Sequence, residues 1–487
     1  MKNLKDLLFG VSIDSVIGNT DRAINAIQFD SRKIKLQDFF VAIKGTQADG
    51  HDYLKQVAEN GAVAILCETL PKVVSESVTY IQTKCTHKAL AIIASNYFDH
   101  PSQKLSLVGI TGTNGKTTIA SLLYQLFQNC GMPSGLISTV KICLGDQVIG
   151  ATHTTPDAIT INSLLNQMVQ MGITHCFMEV SSHGIDQERT TGLHFNGAIF
   201  TNLTHDHLDY HGDFATYRDI KKRLFDQLSK EAFALVNADD KNGLYMIQNS
   251  RAKKFTYALK TSADFKGKII ENQLSGLLLR INDSEVWSHL IGSFNASNLL
   301  AIYGTAVLLK MDSLEALKGI SGLRSVAGRF QYFISQNNIT AIVDYAHTPD
   351  ALKNVLETIN AIRTKNEVLI TVFGCGGDRD KTKRPIMAHI ATSLSDKVIL
   401  TNDNPRTETP ERIIEEIESG VAPIHFKKTI CVLDRKQAIK TAVQLAQTGD
   451  IILIAGKGHE TYQEINGKRF DFNDFETVHH FLNQAAS

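Results

Sequence analysis

"KLSLVGITGTNGKTTIASLLYQLFQNCG", residues 104–131, runs from a strand pattern through a glycine-rich turn into a helix pattern. The run LSLVGI before the turn is short and mostly apolar, which is typical of a buried strand. After the turn, Ile119, Leu122, Leu123 and Leu126 repeat at the spacing of one helix face. A strand that leads directly into a helix in this way predicts an α/β domain.

More apolar runs follow along the chain and predict two successive α/β units. Runs of this kind are typical of parallel strands whose two faces are both covered by helices. The strands of the first unit are predicted at 175–180, 197–203 and 232–238, and those of the second at 340–346, 367–374, 397–401 and 450–456. The first hundred or so residues differ, because strand-like runs there alternate with polar turns, so the sequence predicts three domains.

The charge balance and the cysteines limit the kinds of protein that this chain can be. Lys and Arg together number 50, as do Asp and Glu, so no basic excess indicates a nucleic-acid or membrane partner. The N-terminus lacks a secretory pattern, and no apolar stretch reaches about 18 residues. The cysteines are scattered without CxxC spacing, which argues against a disulfide framework or a zinc site. We therefore expect a cytoplasmic protein.

The turn GITGTNGKTT, residues 109–118, carries the strongest chemical signal. Backbone N–H groups of such a turn bind phosphate oxygens, while Lys116 can reach the β- and γ-phosphates and Thr117 can bind Mg²⁺. Ile110 stands where the strict GxxxxGK[ST] pattern has its first glycine, and Gly109 lies one residue early. The alternative is a structural glycine turn, but the strand–turn–helix context favours a nucleotide. Gly-Lys-Thr favours ATP over a dinucleotide, because it supplies a charge and a metal ligand.

TGTNGKTT resembles the nucleotide loop of the Mur ligase family, whose members use ATP to join an amine to a carboxylate. The motifs that agree in order and spacing are MEVSSHG (178–184), TNLTHDHLDYHG (201–212), GSFNASNLLAI (292–302), AGRF (327–330), DYAHTPDAL (344–352), GCGGDRDKTKRP (374–385) and GKGHE (456–460). FDSRKI (29–34) and FFVAIKGTQADGH (39–51) resemble the first domain of the branch that adds the third amino acid. The resemblance therefore covers essentially the whole chain.

The resemblance implies three α/β domains. They are a small N-terminal UDP-binding domain (1–102), a central P-loop ATPase-like domain with a parallel sheet (103–328) and a C-terminal Rossmann-like domain for the amino acid (329–487). It also implies a ligase of peptidoglycan precursor synthesis that uses ATP and Mg²⁺. The enzyme would extend UDP-N-acetylmuramoyl-L-Ala-D-Glu with meso-2,6-diaminopimelate at the D-glutamyl γ-carboxylate, through an acyl phosphate. We expect a monomer with no nucleic-acid or membrane partner.

The same resemblance assigns the catalytic, metal and nucleotide residues. Catalysis is expected from Lys116, Glu179, His207 and Lys221, and Mg²⁺ binding is expected from Thr117, Glu179, His207 and Lys221. Lys221 aligns with a lysine that is carbamylated in the family, although a lysine in KKR would otherwise be read as a solvated helix face. Nucleotide contacts are expected from Gly112, Thr113, Asn114, Gly115, Thr118, Asn295, Asn298, Arg329, Asp344 and His347. Glu179 could instead be a salt-bridged residue at a strand end, and several of the turn residues could be caps.

The acceptor and amino-acid sites follow from the resemblance as well. UDP-muramoyl contacts are expected from Ser31, Arg32, His153, Thr154, Thr155, Ser181, Gln187 and Arg189. Amino-acid contacts are expected from Arg379, Asp403, Asn404, Pro405, Arg406, Gly456 and Glu460. The three histidines of THDHLDYHG could also suggest zinc, and the roles of His205 and His211 stay open, as does that of His153.

The turn DNPR, residues 403–406, predicts the choice of amino acid. Pro405 makes the turn stiff, and ligands of open α/β sheets gather at the carboxyl ends of the strands. Family members that add diaminopimelate carry DNPR, and a guanidinium at Arg406 can bind the distal carboxylate that lysine lacks. The alternative for Arg406 is a cap or ion pair with the helix start TETPE.

Three rival functions remain open from the sequence. The first is the same reaction with lysine or another diamino acid. The second is a folylpolyglutamate synthetase, which lacks the DSR and ADGH motifs of the first domain. The third, from a different class, is a nucleotide-binding regulator that shares the fold and performs no chemistry.

Overall fold

A computed structural model of the chain describes residues 1–45, 48–204, 206 and 208–485. Within these residues the strands form sheets of five, eleven and six strands and two further sheets of two strands each. Each of the three larger sheets is built from one continuous stretch of sequence, which confirms the predicted three-domain α/β architecture. No helix of the described residues is long and apolar enough to cross a membrane.

The N-terminal part carries the five-stranded sheet. Its strands are β1 (Lys2–Asn3), β2 (Ser15–Ile17), β3 (Ala23–Ile24), β4 (Ile27–Gln28), β5 (Phe39–Val41), β6 (Ala64–Cys67) and β7 (Thr79–Gln82), and its helices are α1 (Leu4–Leu7), α2 (Leu54–Glu59) and α3 (Thr86–Tyr97). The order is β2-β7-β6-β5-β4, with β4 to β7 parallel and β2 antiparallel, while β1 pairs with β3.

The central part carries the eleven-stranded sheet. Its strands are β8 (Ser106–Thr111), β9 (Ser134–Ile137), β10 (Lys141–Leu144), β11 (Gln147–Gly150), β12 (His175–Glu179), β13 (Gly197–Phe200), β14 (Phe233–Asn237), β15 (Lys253–Ala258), β16 (Phe265–Gln273), β17 (Gly276–Ile281) and β18 (Ser284–Ser288). Its helices are α4 (Lys116–Asn129), α5 (Ala158–Gln170), α6 (Ser182–Asp186), α7 (Leu208–His211), α8 (Phe214–Asp226), α9 (Gly243–Met246), α10 (Ser293–Leu308) and α11 (Ser313–Ser321).

The strand order of the central sheet is β11-β10-β9-β12-β8-β13-β14-β15-β16-β17-β18. In this order the neighbouring strands β9, β12, β8, β13, β14, β15 and β16 are all parallel. An antiparallel hairpin extends the sheet at each edge, β10–β11 on one side and β17–β18 on the other. The predicted strand and helix of the opening segment are β8 and α4, and the four predicted apolar residues of α4 are fully buried. Because β8 lies inside the parallel run, its carboxyl end opens between those of β12 and β13.

The C-terminal part carries the six-stranded sheet. Its strands are β19 (Gln331–Ile334), β20 (Thr340–Asp344), β21 (Leu369–Phe373), β22 (Lys397–Leu400), β23 (Thr429–Cys431), β24 (Ile451–Ala455), β25 (Tyr462–Ile465) and β26 (Lys468–Asp471), and its helices are α12 (Pro349–Ile362), α13 (Lys383–Leu394), α14 (Pro410–Glu418), α15 (Arg435–Leu445) and α16 (Asp474–Ala485). The order is β19-β20-β24-β21-β22-β23, and only β19 is antiparallel among these strands.

A buried ion pair fixes the strand ends that precede DNPR and GKGHE. Arg435, on α15, donates from Nε and Nη2 to the two carboxylate oxygens of Asp474, at 2.7 Å each. Its Nη1 and Nη2 also donate to the carbonyl oxygens of Asn402 and Ala455, at 3.3 and 3.0 Å. Since a buried charge is tolerated only when it is paired and hydrogen-bonded, this cluster holds the ends of β22 and β24 together.

Candidate active site

A cavity of about 840 Å³ lies between the central and C-terminal parts of the chain. On the central side it is lined by the glycine turn after β8 and by the carboxyl ends of β12 and β13. On the other side it is lined by residues 344–348 and by the first turns of α12. Ligands of α/β proteins bind at this edge of the sheet, so the cavity is the candidate active site.

The glycine turn is held open by backbone geometry and by the segment after β13. Gly112 has a φ of 146°, and a Cβ added there would come within 1.9 Å of Thr201 Oγ1. The backbone N–H groups of Thr113 and Asn114 donate to the main-chain and side-chain oxygens of Asn202, at 2.8 and 2.9 Å. Helix α4 begins at Lys116, and its first residues Lys116, Thr117 and Thr118 line the cavity. A helix start of this kind binds phosphate.

Two lysine side chains meet at one carbonyl oxygen of this turn. The Nζ atoms of Lys116 and Lys221 each lie 2.9 Å from the oxygen of Gly112, and Lys116 also donates to Thr113 O at 2.7 Å. The side chain of Lys221 comes from α8 and is only 1% exposed. Burial lowers the pKa of Lys221 well below its usual range, and the charge of Lys116 lowers it further. Two ammonium groups at one carbonyl repel each other, so this arrangement favours the loss of one positive charge.

Lys221 and Lys222 lie on different faces of α8, and only one of them faces the cavity. Lys221 lines the cavity, whereas the Nζ of Lys222 contacts Asp226 Oδ1 at 2.5 Å, on the same helix. Successive residues of a helix point in directions about 100° apart, so only one of two neighbouring lysines can face the phosphate loop.

Glu179, at the end of β12, is a fully buried carboxylate surrounded by donors. Its Oε2 accepts hydrogen bonds from the hydroxyl groups of Thr117 and Thr139, at 3.0 and 3.2 Å. Its Oε1 accepts from the backbone N–H of Thr139, at 2.8 Å. A hydroxyl and a carboxylate oxygen therefore stand side by side in the cavity, and such oxygens are the ligands that Mg²⁺ prefers.

Of the three histidines of THDHLDYHG, the structure describes His211. His205 and His207 lie outside the residues that the structure describes. His211 is buried, its Nε2 lies 2.9 Å from Ser182 Oγ, and its ring packs against Tyr217. His211 is thus placed in the packing between α6 and α8.

The predicted nucleotide residues of the later motifs line the same cavity, with one exception. Asn298, Arg329, Asp344 and His347 face it, whereas the buried Asn295 stands behind Asn298 and accepts its Nδ2–H at 3.1 Å. Arg329 reaches across to the glycine turn, because its Nη2 donates to Thr117 Oγ1 at 3.2 Å. Its guanidinium lies 4.3 Å from the centre of the Tyr345 ring.

Burial in the cavity wall shifts the pKa values of Asp344 and His347. Burial raises the pKa of the Asp344 carboxyl, although the nearby Arg329 opposes that shift. Burial lowers the pKa of His347, which favours the neutral imidazole.

The predicted acceptor residues of the central part form one connected group. Thr155 donates to Glu179 O and accepts from Ser181 N, and both hydrogen bonds measure 2.9 Å. Arg189 Nη1 donates to Thr155 O at 2.6 Å, and its Nε and Nη2 donate to Gln187 Oε1. Thr154 and Ser181 also line the cavity. His153 is exposed beside this group, and its Nδ1 lies 3.2 Å from Thr152 Oγ1.

Ser31 and Arg32 stand apart from the cavity, in a short 3₁₀ helix of the N-terminal part. The carboxylate of Asp30 caps this helix and pairs with Arg32, whose side chain is 85% exposed. An elongated substrate would be needed to contact both these residues and the cavity.

The DNPR turn follows β22 and packs against the end of β24. Asp403, Asn404 and Pro405 are buried, and Arg406 adopts a φ of 52°. Arg406 Nη1 donates to Gly377 O at 2.7 Å, and its backbone N–H donates to Glu464 O at 3.0 Å. Of the acidic residues at the following helix start, Glu408 pairs with Arg384.

The end of β24 adds a buried lysine that the sequence analysis missed. Lys457 is fully buried, and its Nζ donates to Asn404 Oδ1 and Glu460 Oε2, at 2.9 Å each. Asn404 Nδ2 also donates to Glu460 Oε2, at 2.8 Å. Gly456 precedes this cluster, and Arg379 is exposed on the loop after β21. The GKGHE motif contained the signal for Lys457, but only the fold shows that the side chain points inward.

Comparison with protein families gives three matches along the chain. Residues 23–98 match the model described as Mur ligase family, catalytic domain, and residues 110–306 match the Mur ligase middle domain. Residues 328–458 match the model described as Mur ligase, glutamate ligase domain.

Curated and solved proteins resemble the chain over nearly its whole length. It is 55% identical over 472 residues to a UDP-N-acetylmuramoyl-L-alanyl-D-glutamate–2,6-diaminopimelate ligase of Cytophaga hutchinsonii, with 97% of each chain covered. A solved ligase of the same description superposes with a TM-score of 0.70 at 31% identity, over 100% of this chain and 99% of that one. A MurF ligase from Thermotoga maritima, solved with ADP, shares the fold at 18% identity, with a TM-score of 0.61 over 94% and 97% of the chains.

Proposed function

Because this chain belongs to the Mur ligase family, we propose that it adds meso-2,6-diaminopimelate to the D-glutamyl γ-carboxylate of UDP-N-acetylmuramoyl-L-Ala-D-Glu. The reaction consumes ATP and extends the peptide of a peptidoglycan precursor. The observation that carries the proposal is the cavity itself, where the phosphate loop faces residues 344–351 of the C-terminal part. The similarity to a named diaminopimelate ligase over 97% of both chains supports the choice of substrates.

The chemistry requires activation of a carboxylate. An oxygen of the γ-carboxylate attacks the γ-phosphorus of ATP, so that an O–P bond forms, the bond to the β-phosphate oxygen breaks and ADP leaves. The amine of the diamino acid then attacks the carbonyl carbon of the acyl phosphate, phosphate leaves and the nitrogen loses a proton. Catalysis rests on positioning the reactants and on stabilising charge on the phosphate oxygens. Lys116, Arg329 and the N–H groups at the start of α4 would supply that stabilisation.

We propose Mg²⁺ as the metal cofactor, held by Thr117 and Glu179. Their oxygens are 3.0 Å apart and buried, which fits a hard cation with oxygen ligands. His207 and a carbamylated Lys221 complete the ligand set that the family resemblance implies. When bound, the ion would neutralise charge on the transferred phosphate.

We also propose that Lys221 carries a carbamate. A neutral Nζ can attack carbon dioxide, so that an N–C bond forms and a proton is released, which converts the side chain into an anion. This change would remove the repulsion between Lys116 and Lys221 at the carbonyl of Gly112. It would also give the buried side chain two oxygen atoms that face the cavity.

Phosphate release from the purified chain tests the proposed function. The assay uses ATP, Mg²⁺ and the UDP-dipeptide with lysine, ornithine or meso-diaminopimelate. We expect phosphate and a UDP-tripeptide only with meso-diaminopimelate. Turnover with lysine instead would support the related ligase, and ATP binding without phosphate release under any condition would support a regulator. A monomeric state and a cytoplasmic location stay predictions from the sequence.

The Arg406→Ala variant tests how the third amino acid is selected. A charge-assisted hydrogen bond to the distal carboxylate would be lost, so kcat/KM for diaminopimelate should fall about 10- to 100-fold. Any residual turnover with lysine should change little, because lysine offers no carboxylate at that place. Steady-state kinetics with both amino acids measures the difference, and Arg412→Ala, an exposed arginine on α14, serves as the matched control. An equal loss with both amino acids would make Arg406 a structural residue that acts through Gly377.

A further inference from the structure

Arg384 is a buried cation at the start of α13, and the reaction as described above does not use it. Its side chain is fully buried. Nη1 and Nη2 donate to the two carboxylate oxygens of Glu408 at 3.0 Å each, which is a bidentate pair. Nη1 also donates to Glu416 at 2.5 Å, and Nη2 donates to Gly376 O at 2.9 Å. The hydrogen bond from Arg384 lowers the pKa of Glu408 to about 2, so this partner stays ionised.

These contacts join the loops that follow two neighbouring strands. Gly376 belongs to the loop after β21, and Glu408 belongs to the loop after β22. Glu408 Oε1 also accepts from the backbone N–H of Asp378 at 2.6 Å, and Asp378 in turn accepts from Thr407 Oγ1 at 2.8 Å. Arg384 therefore stands at the centre of a hydrogen-bonded bridge from one loop to the other.

The two loops are also in direct contact. A Cβ added at Gly377 would lie 1.9 Å from Pro405 O, and one added at Gly376 would lie 3.0 Å from Arg406 Nη1. A larger residue at position 377 would meet the backbone of Pro405 and push the loops apart, whereas one at position 376 would meet only the end of the Arg406 side chain. The close approach of the two loops therefore depends on Gly377.

Each loop holds a strained residue next to the bridge. Asp378 has a φ of 53° and Arg406 a φ of 52°, a region that residues with side chains seldom adopt. Such conformations persist only where surrounding contacts hold them. The contacts in question are those of Glu408 with Asp378 and of Gly377 O with Arg406.

We propose that Arg384 is a positioning residue for the third amino acid. With Glu408 it fixes the distance and orientation between Arg379 on one loop and Arg406 on the other. Both residues are expected to contact the amino acid, and Arg406 is the proposed partner of its distal carboxylate, so the inference rests on the proposed function. Arg384 itself is fully buried and acts only through the loops.

The Arg384→Lys variant separates this role from simple support of the fold. Lysine keeps the charge but cannot form the bidentate pair, so the loops lose their fixed spacing. We expect KM for diaminopimelate to rise about tenfold or more, which corresponds to a loss of about 1.4 kcal/mol. KM for ATP should change less than about twofold, and the preference for diaminopimelate over lysine should fall. Glu408→Gln should give the same pattern, and the melting temperature is measured for every variant.

Arg363→Lys is the matched control in the same domain. Arg363 is also largely buried and pairs with Asp396, but it lies at the amino end of β21 and β22, away from the site. It should lower the melting temperature without changing KM for diaminopimelate. If Arg384→Lys changed the kinetics only as much as this control does, the positioning role would be wrong.

A double-mutant cycle with Arg406→Ala gives the second readout. If Arg384 acts through Arg406, then Arg384→Lys should raise KM far less in the Arg406→Ala background than in the wild type. Equal fold-changes in both backgrounds would overturn the inference. If the wild type used lysine and not diaminopimelate, the proposed function would be wrong. In that case a raised KM for lysine in Arg384→Lys would still support the positioning role, and an unchanged one would overturn it.

Discussion

Lys116→Ala should reduce phosphate release to background, a loss of about 10³-fold or more. The substitution removes the ammonium group that would stabilise negative charge on the transferred phosphate. Lys116 stands at the start of α4, and its Nζ donates to the carbonyl oxygens of Gly112 and Thr113. These contacts place the ammonium within the phosphate loop. Charge on the phosphate oxygens changes as the phosphoryl group is transferred, so turnover should suffer more than ATP binding.

The measurement for Lys116→Ala pairs single-turnover phosphate release with nucleotide affinity. ATP affinity is expected to fall about tenfold, while the rate of acyl-phosphate formation falls far more. Lys222→Ala provides a lysine variant in the same domain whose side chain points to Asp226. Near-normal turnover in Lys116→Ala would refute the assignment of this loop to ATP.

The predicted parts of the fold were those with a strong local pattern. The strand β8, the turn and the helix α4 follow each other directly, so local periodicity was enough to place them. The antiparallel hairpins β10–β11 and β16–β18 were not among the predicted strands. Their pairing is local, as in Leu144 with Gln147 and Ile281 with Ser284, but these strands mix polar and apolar residues, and whether such a segment forms a strand depends on which of its faces the fold covers.

The sequence predicted those site residues whose side-chain chemistry and motif both indicate a function. It missed charged residues whose role depends on their burial in the fold. Lys116, Glu179 and Arg329 lie in quoted motifs, and the structure brings them to one cavity. Lys457 and Arg384 lie in quoted motifs too, yet nothing in the sequence shows that a charged side chain turns inward. Hydrogen-bonded partners that the fold brings near, such as Asn404 for Lys457 and Glu408 for Arg384, make that burial tolerable.

The second large effect on turnover is expected from substitution of Lys221, the lysine of α8 that faces the cavity. Lys221→Ala should lower turnover about 10²- to 10³-fold, because the proposed anionic carbamate would be lost. Truncation leaves a space that opens to the cavity, so a short-chain carboxylate such as acetate should enter and restore part of the activity. The matched control is the same substitution at the neighbouring lysine, Lys222→Ala. Its turnover should change less than about threefold, since the ion pair of Lys222 with the partly exposed Asp226 is a weak interaction.

Two further readouts decide what Lys221 supplies. Wild-type protein with carbon-13-labelled bicarbonate should show a carbamate signal by nuclear magnetic resonance, and that signal should vanish in Lys221→Ala while it persists in Lys222→Ala. If Lys221 acted instead as a cation toward phosphate, Lys221→Arg would keep activity and acetate would rescue nothing. The geometry argues for the anion, because Lys116 already provides a positive charge at the carbonyl of Gly112. A second ammonium there, 1% exposed, would be repelled by the first, whereas a carbamate would be attracted to it.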